Sequence, residues 1–137
     1  VAGAASAIID WLNTPIAAMP QPTRPQAGDS PCSSGASRRC VGWGSLARWE
    51  EDFKSCCMAA AGWGILARDL VNGKLYNVVS DQHEFGEIRL GQPLLVCDVY
   101  EHAFYVDYVN RKAEYVSKFV KFVDWDEVDR RFKALSK

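Results

Sequence analysis

The hydrophobic rhythm of this chain changes at Gly62-Trp63-Gly64, and that change limits the fold more than any other feature. Upstream, SLARWEEDFKSCCMAAA (residues 45–61) sets Leu46, Trp49, Phe53, Cys56 or Cys57, and Ala60 at spacings of three and four. That is the apolar stripe of an amphipathic helix, with Arg48, Glu50, Glu51, Asp52 and Lys54 on its polar side. Ser45 is placed to cap its start, and Gly62 and Gly64 stop it. Adjacent residues on a helix stand about 100° apart, so one of Cys56 and Cys57 is expected at the centre of the stripe, as a buried free thiol.

Downstream the period is two. ILARDLV (65–71) and KLYNVVS (74–80) flank Asn72-Gly73, a strong signal for a tight hairpin turn. A helix through residue 70 with Gly73 as its C-cap is the competing reading. Three further strands are expected at PLLVCDVY (93–100), AFYVDYV (103–109) and AEYVSKFVKFV (113–123), joined by links short enough for antiparallel neighbours. Asp124 with Glu127 forms a capping box for a final helix over 125–135, with Trp125, Val128, Phe132 and Leu135 near helical spacing. The expected fold is α+β: a central amphipathic helix, about five short antiparallel strands in a small SH3-like or OB-like barrel or a meander, and a C-terminal helix.

Ahead of this body, residues 1–14 suit a short apolar helix, and prolines 15, 20, 22, 25 and 31 then impose an irregular, polyproline-like course. Residues 1–40 are therefore read as a helix and proline-rich arm, and residues 41–137 as one α+β domain. An arm without a core of its own needs a surface to lie on. Trp11, Pro20, Pro22, Pro25 and Trp43 are its candidate partner-binding residues, since five tryptophans exceed what a core of this size needs.

A net charge of −1 gives no field to gather nucleic acid, and none is expected as a partner. No apolar run approaches the roughly 20 residues of a membrane span, which leaves only peripheral membrane association open. Ala5-Ser6-Ala7 is a small-residue pattern of the kind that processing peptidases cut after, so export or organelle import stands beside a cytoplasmic location. Cys32 and Cys40, in a Ser/Gly-rich stretch, could close a short disulfide in an oxidising compartment.

Cys40 precedes the main helix and His102 precedes an expected strand, an order that suits a thiol nucleophile with an imidazole base. Glu114 could orient the imidazole, although strand alternation would equally place it in solvent. This layout resembles the NlpC/P60 group of papain-fold peptidases, in which a cysteine opens a helix and a histidine later begins a strand. The Gly91-to-Tyr105 stretch carries the likeness. The resemblance implies a cysteine hydrolase with Cys40 as nucleophile and His102 as base. The family's Asp-Cys-Ser-Gly signature stands here as Arg39-Cys40-Val41-Gly42, and Gly44-Ser45 move the helix start beyond the thiol.

Cysteine and histidine spacings show neither C-x2-C nor H-x3-H, so no metal site is expected, and no glycine-rich loop has phosphate-binding spacing. No cofactor is called for. The functional expectation is thus a non-catalytic interaction module, leaning away from an enzyme: an accessory subunit reaching other protein subunits through its arm. A membrane-associated respiratory or photosynthetic assembly would suit it. The papain-like hydrolase is the alternative.

Overall fold

The computed structural model describes residues 12, 36–40, 43–81 and 90–135. Four strands, β1 (Ala36–Cys40), β2 (Trp63–Asp69), β3 (Leu75–Ser80) and β4 (Gly91–Asp98), form one antiparallel sheet in the order β1-β3-β2-β4. Among the described residues it is accompanied by helices α1 (Leu46–Ala59), α2 (Glu101–Tyr108), α3 (Lys112–Lys121) and α4 (Trp125–Ala134). The α+β class is as expected. The barrel is not: β1 and β4 lie at opposite edges of an open sheet. β1 pairs with β3 from Ala36↔Ser80 to Cys40↔Tyr76, so the last five residues assigned to the arm belong to the sheet.

α1 forms where the stripe placed it. Ser45 accepts the Arg48 N–H at 3.3 Å, and the helix stops at Ala60, whose N–H still reaches the Cys56 carbonyl. Its buried face is Trp49, Phe53, Cys56 and Cys57, so both cysteines are interior rather than one. Each of the two large rings, fully enclosed, contributes roughly 2–3 kcal/mol of apolar burial.

In β2 and β3 the expected alternation holds. Gly64 and Leu66 with Leu75, Asn77 and Val79 face α1, while Ile65, Ala67 and Val78 are buried on the reverse face with Trp63 and Tyr76 beside them. The hairpin closes through a longer loop than a two-residue turn. Asp69 donates to the Lys74 carbonyl and its Oδ1 accepts the Val71 and Asn72 N–H groups. Gly73, at φ 70°, occupies the left-handed position that glycine tolerates best.

β4 carries a bulge. Leu66 faces Leu95 but Ala67 faces Pro93, which leaves Leu94 as the extra residue. Both Leu94 and Leu95 are thereby buried, and the Leu94 carbonyl accepts from Arg131 Nη1 of α4 at 3.0 Å.

The strands expected over 103–109 and 113–123 are helices α2 and α3. In the second, Tyr115 and Phe119, and Val116 and Val120, recur four apart; Val116 and Val120 are buried and the two rings pack on the core. The apolar doublets therefore form a helical stripe rather than two faces of a strand. α4 begins at the expected cap, with Asp124 Oδ1 accepting the Glu127 N–H at 3.1 Å. Among the described residues no helix is long and apolar enough to cross a membrane.

Candidate functional site

The histidine of the expected hydrolase dyad does not meet its thiol. Cys40 ends β1 in line with Tyr76, Ala67 and Pro93, whereas His102 lies beyond Asp98 at the other end of β4. Three strand spacings and a further five residues along β4 separate them by on the order of 20 Å. Glu114 is on a helix, not a strand. Its carboxylate is engaged by Arg111 at 2.7 Å and Lys118 at 2.9 Å, and these hold it below the usual carboxylate range, the Lys118 hydrogen bond first.

Trp43 is 2% exposed and donates its indole N–H to Asp52 at 3.1 Å, so it anchors the interior rather than a partner. Trp11, Pro20, Pro22, Pro25 and Cys32 lie outside the described residues, as does the side chain of Cys40. Leu12, from the expected N-terminal helix, is helical and fully buried in the core.

His102 has different company. β4 ends at Asp98, and the chain turns there because Asp98 Oδ1 accepts the Tyr100 N–H at 3.0 Å. That side-chain bond replaces the ladder with a turn and delivers His102 into the first turn of α2. The Tyr100 and His102 rings meet edge to face at 4.9 Å, and Tyr115 donates its hydroxyl to the Asp98 carbonyl at 2.9 Å. Phe104 stacks on Tyr115 at 5.3 Å, so an aromatic contact between α2 and α3 braces the hydroxyl that holds the strand end. Burial first, then the neighbouring Cys97 and Asp98, pushes Tyr115 up to about 12, which keeps it a hydrogen-bond donor. A half-buried carboxylate and an exposed imidazole thus stand four residues apart on a strand-to-helix corner.

Directly behind this corner lie two buried thiols. Cys97 precedes Asp98 and is the cross-strand partner of Gly64, over which Cys57 of α1 sits. The Cys57 thiol is driven far above its ordinary value, first by its hydrogen bond with Cys97 and then by burial. Lys112, half-buried beside them, donates to the Ala60 carbonyl at 2.6 Å and so closes the C-terminal end of α1. Burial draws its ammonium below the ordinary value, against the opposing pull of the two thiols.

Residues 40–131, a span that includes the whole Asp98–His102 corner, match the family of iron/manganese superoxide dismutases, C-terminal domain. The chain belongs to that family. It is 38% identical over 109 residues to "Superoxide dismutase [Mn] 2" of Haloferax volcanii, covering 80% of this chain and 55% of that protein. To "Superoxide dismutase [Mn] 1" of Halobacterium salinarum it is 36% identical over 113 residues, 82% of this chain and 56% of the other. "Superoxide dismutase [Fe]" of Aquifex pyrophilus is 38% identical over 94 residues, 69% of this chain and 44% of that one. The chain therefore spans about half the length of the curated relatives it matches. Membership overturns the accessory-module expectation and the lean away from an enzyme, since these relatives are named as enzymes. It equally overturns the papain-like alternative.

Manganese and iron suit nitrogen and oxygen donors, and a carboxylate with an imidazole is of the right type. The described residues fall short in number. Among them no group of three or more His, Cys, Asp or Glu side chains gathers as a metal site. The whole chain has two histidines, and the other, His83, lies outside the described residues. Cysteine and histidine spacings do not point to this corner, because one of its two polar groups is a carboxylate. The signal was the four-residue interval from Asp98 to His102.

Proposed function

We propose that the protein carrying this chain is a metal-dependent superoxide dismutase, converting two superoxide anions and two protons into dioxygen and hydrogen peroxide. Asp98 and His102 are this chain's contribution to the metal donors, completed by donors outside the described residues. The observation that carries the reading is the carboxylate–imidazole pair, braced at the β4–α2 corner of a chain of this family. A bound manganese or iron supplies the one-electron redox change.

The chain's own residues supply placement. An ionised carboxylate has about four lone-pair positions, so the Tyr100 N–H orients Asp98 and is compatible with a ligand role. Tyr115 pins the Asp98 backbone from the adjacent helix, and the Tyr100 ring beside His102 limits the swing of the imidazole. Such supporting contacts matter because ligands held by their neighbours lose less freedom on binding a metal.

The test measures metal content and superoxide removal of the full-length protein and of its Asp98→Ala and His102→Ala variants, with far-UV circular dichroism to confirm the fold. Metal and activity should fall together in both variants. Folded variants that keep metal and activity would refute the assignment.

A further inference from the structure

We infer that Cys57 and Cys97 form a peroxide-responsive dithiol, able to close into a disulfide that ties the end of α1 to the end of β4. The two residues come from separate elements and are 40 positions apart in sequence, yet the fold brings both to Gly64 of β2. Gly64 makes the approach feasible. It pairs with Cys97 across the β2–β4 ladder, and a methyl group at its position would stand 2.3 Å from the Cys57 sulfur. The helix thus lies directly on the strand, with no side chain between Cys57 and the neighbourhood of Cys97. Both thiols are free and fully buried. Closure requires the two sulfurs to approach to the roughly 2.05 Å of a disulfide bond.

The oxidant fitted to this site is a small, uncharged hydroperoxide, since burial turns away charged or bulky reagents. Hydrogen peroxide, the product of the dismutation proposed above, is of that kind. One thiol attacks a peroxide oxygen, the O–O bond breaks, and a sulfenic acid and one water form. The second thiol then displaces the sulfenic oxygen as a second water. In sum, two S–H bonds and one O–O bond are exchanged for one S–S bond and two waters. The two electrons lost by sulfur reduce the peroxide. Both thiols are shielded from solvent, so closure is slow and the exposure must be long. Closure would fix the strand end one residue before Asp98 and bind it covalently to α1.

The experiment adds hydrogen peroxide from outside, so its outcome is independent of whether the protein dismutates superoxide. The folded protein is incubated with peroxide overnight, its remaining thiols are alkylated after denaturation, and tryptic peptides are mapped without reductant. The expected product joins Ser55–Arg68 to Leu90–Arg111, with Cys57 and Cys97 as the linked residues by fragmentation. It should hold most of the Cys57, revert with dithiothreitol, and persist in a Cys56→Ser variant. Recovery of Cys57 and Cys97 as free thiols, as separately oxidised residues, or with the link routed through Cys56 would overturn the inference.

Discussion

Gly64→Ala tests whether the close approach of α1 to β2 is as tight as the geometry indicates. The added methyl carbon would lie 2.3 Å from Cys57 Sγ, 3.2 Å from its Cα and 3.3 Å from its Cβ. Non-bonded carbon contacts are comfortable at roughly 3.5–4.0 Å, so the sulfur must retreat by more than about 1 Å and the helix backbone by a few tenths. Retreat has nowhere easy to go, because Cys57 and Cys97 are both fully buried.

Overpacking of this kind costs about 1–3 kcal/mol. Loss of the thiol–thiol hydrogen bond adds about 0.5–1 kcal/mol. Alanine recovers about 0.5–1 kcal/mol of backbone entropy relative to glycine in a strand. The net expectation is a loss of about 2 kcal/mol, read as a fall of about 1–2 M in the urea midpoint at unchanged slope. Cys57→Ala removes the worst contact, so the double variant should lie well above the sum of the singles, with a coupling of about 1–2 kcal/mol. A single variant within about 0.5 kcal/mol of the wild type, or strict additivity, would refute the close-packing argument.

Asn77 is fully buried, accepting from Trp49 Nε1 at 3.2 Å and donating to Asp52 at 2.8 Å. Asn77→Ala strips the buried indole of that acceptor, and chemical denaturation should show a loss of about 2–4 kcal/mol. Val109, half exposed, ends α2 at φ 53°, a strained conformation for a β-branched residue, so Val109→Gly should raise stability by about 1 kcal/mol in the same assay. Tyr115 is raised from 10 to about 12 in the folded protein, so its contribution is complete below pH 10 and is lost as pH rises through about 12. Alkaline titration followed by circular dichroism should show that loss in the wild type, and Tyr115→Phe should flatten it over the same pH window.

Local physics made several elements legible before any contact was known. α1 and α4 carry both an apolar stripe and a side-chain cap, Ser45 and Asp124, so two independent signals agree at each start. β2 and β3 declared themselves by alternation around Gly73, which needs its positive φ. The misreading of α2 and α3 has an equally local cause. Val, Tyr and Phe favour strands wherever a half-buried pleated surface is on offer, and AFYVDYV supplies them in alternation. Yet Phe104 alone is buried in α2, while Tyr105, Val106 and Val109 are exposed, so the alternation had no sheet to serve. In α3 the four-residue recurrence of Tyr115 with Phe119 and Val116 with Val120 was present in the sequence and decides for a helix.

Other features exist only once the chain is folded. The order β1-β3-β2-β4 sends Cys40 and His102 to opposite edges of the sheet, and so removes a dyad that linear order permitted. The bond from the Tyr100 N–H to Asp98 turns the strand and delivers His102 into the first turn of α2, beside the Tyr100 ring. By itself the sequence determined the central and C-terminal helices, the hairpin and the α+β class, because periodicity, caps and turn glycines act over a few residues. The tertiary structure alone decided which distant side chains meet. Those pairings depend on strand order and on helix-to-sheet distance, set at Gly64 by the absence of a single methyl group.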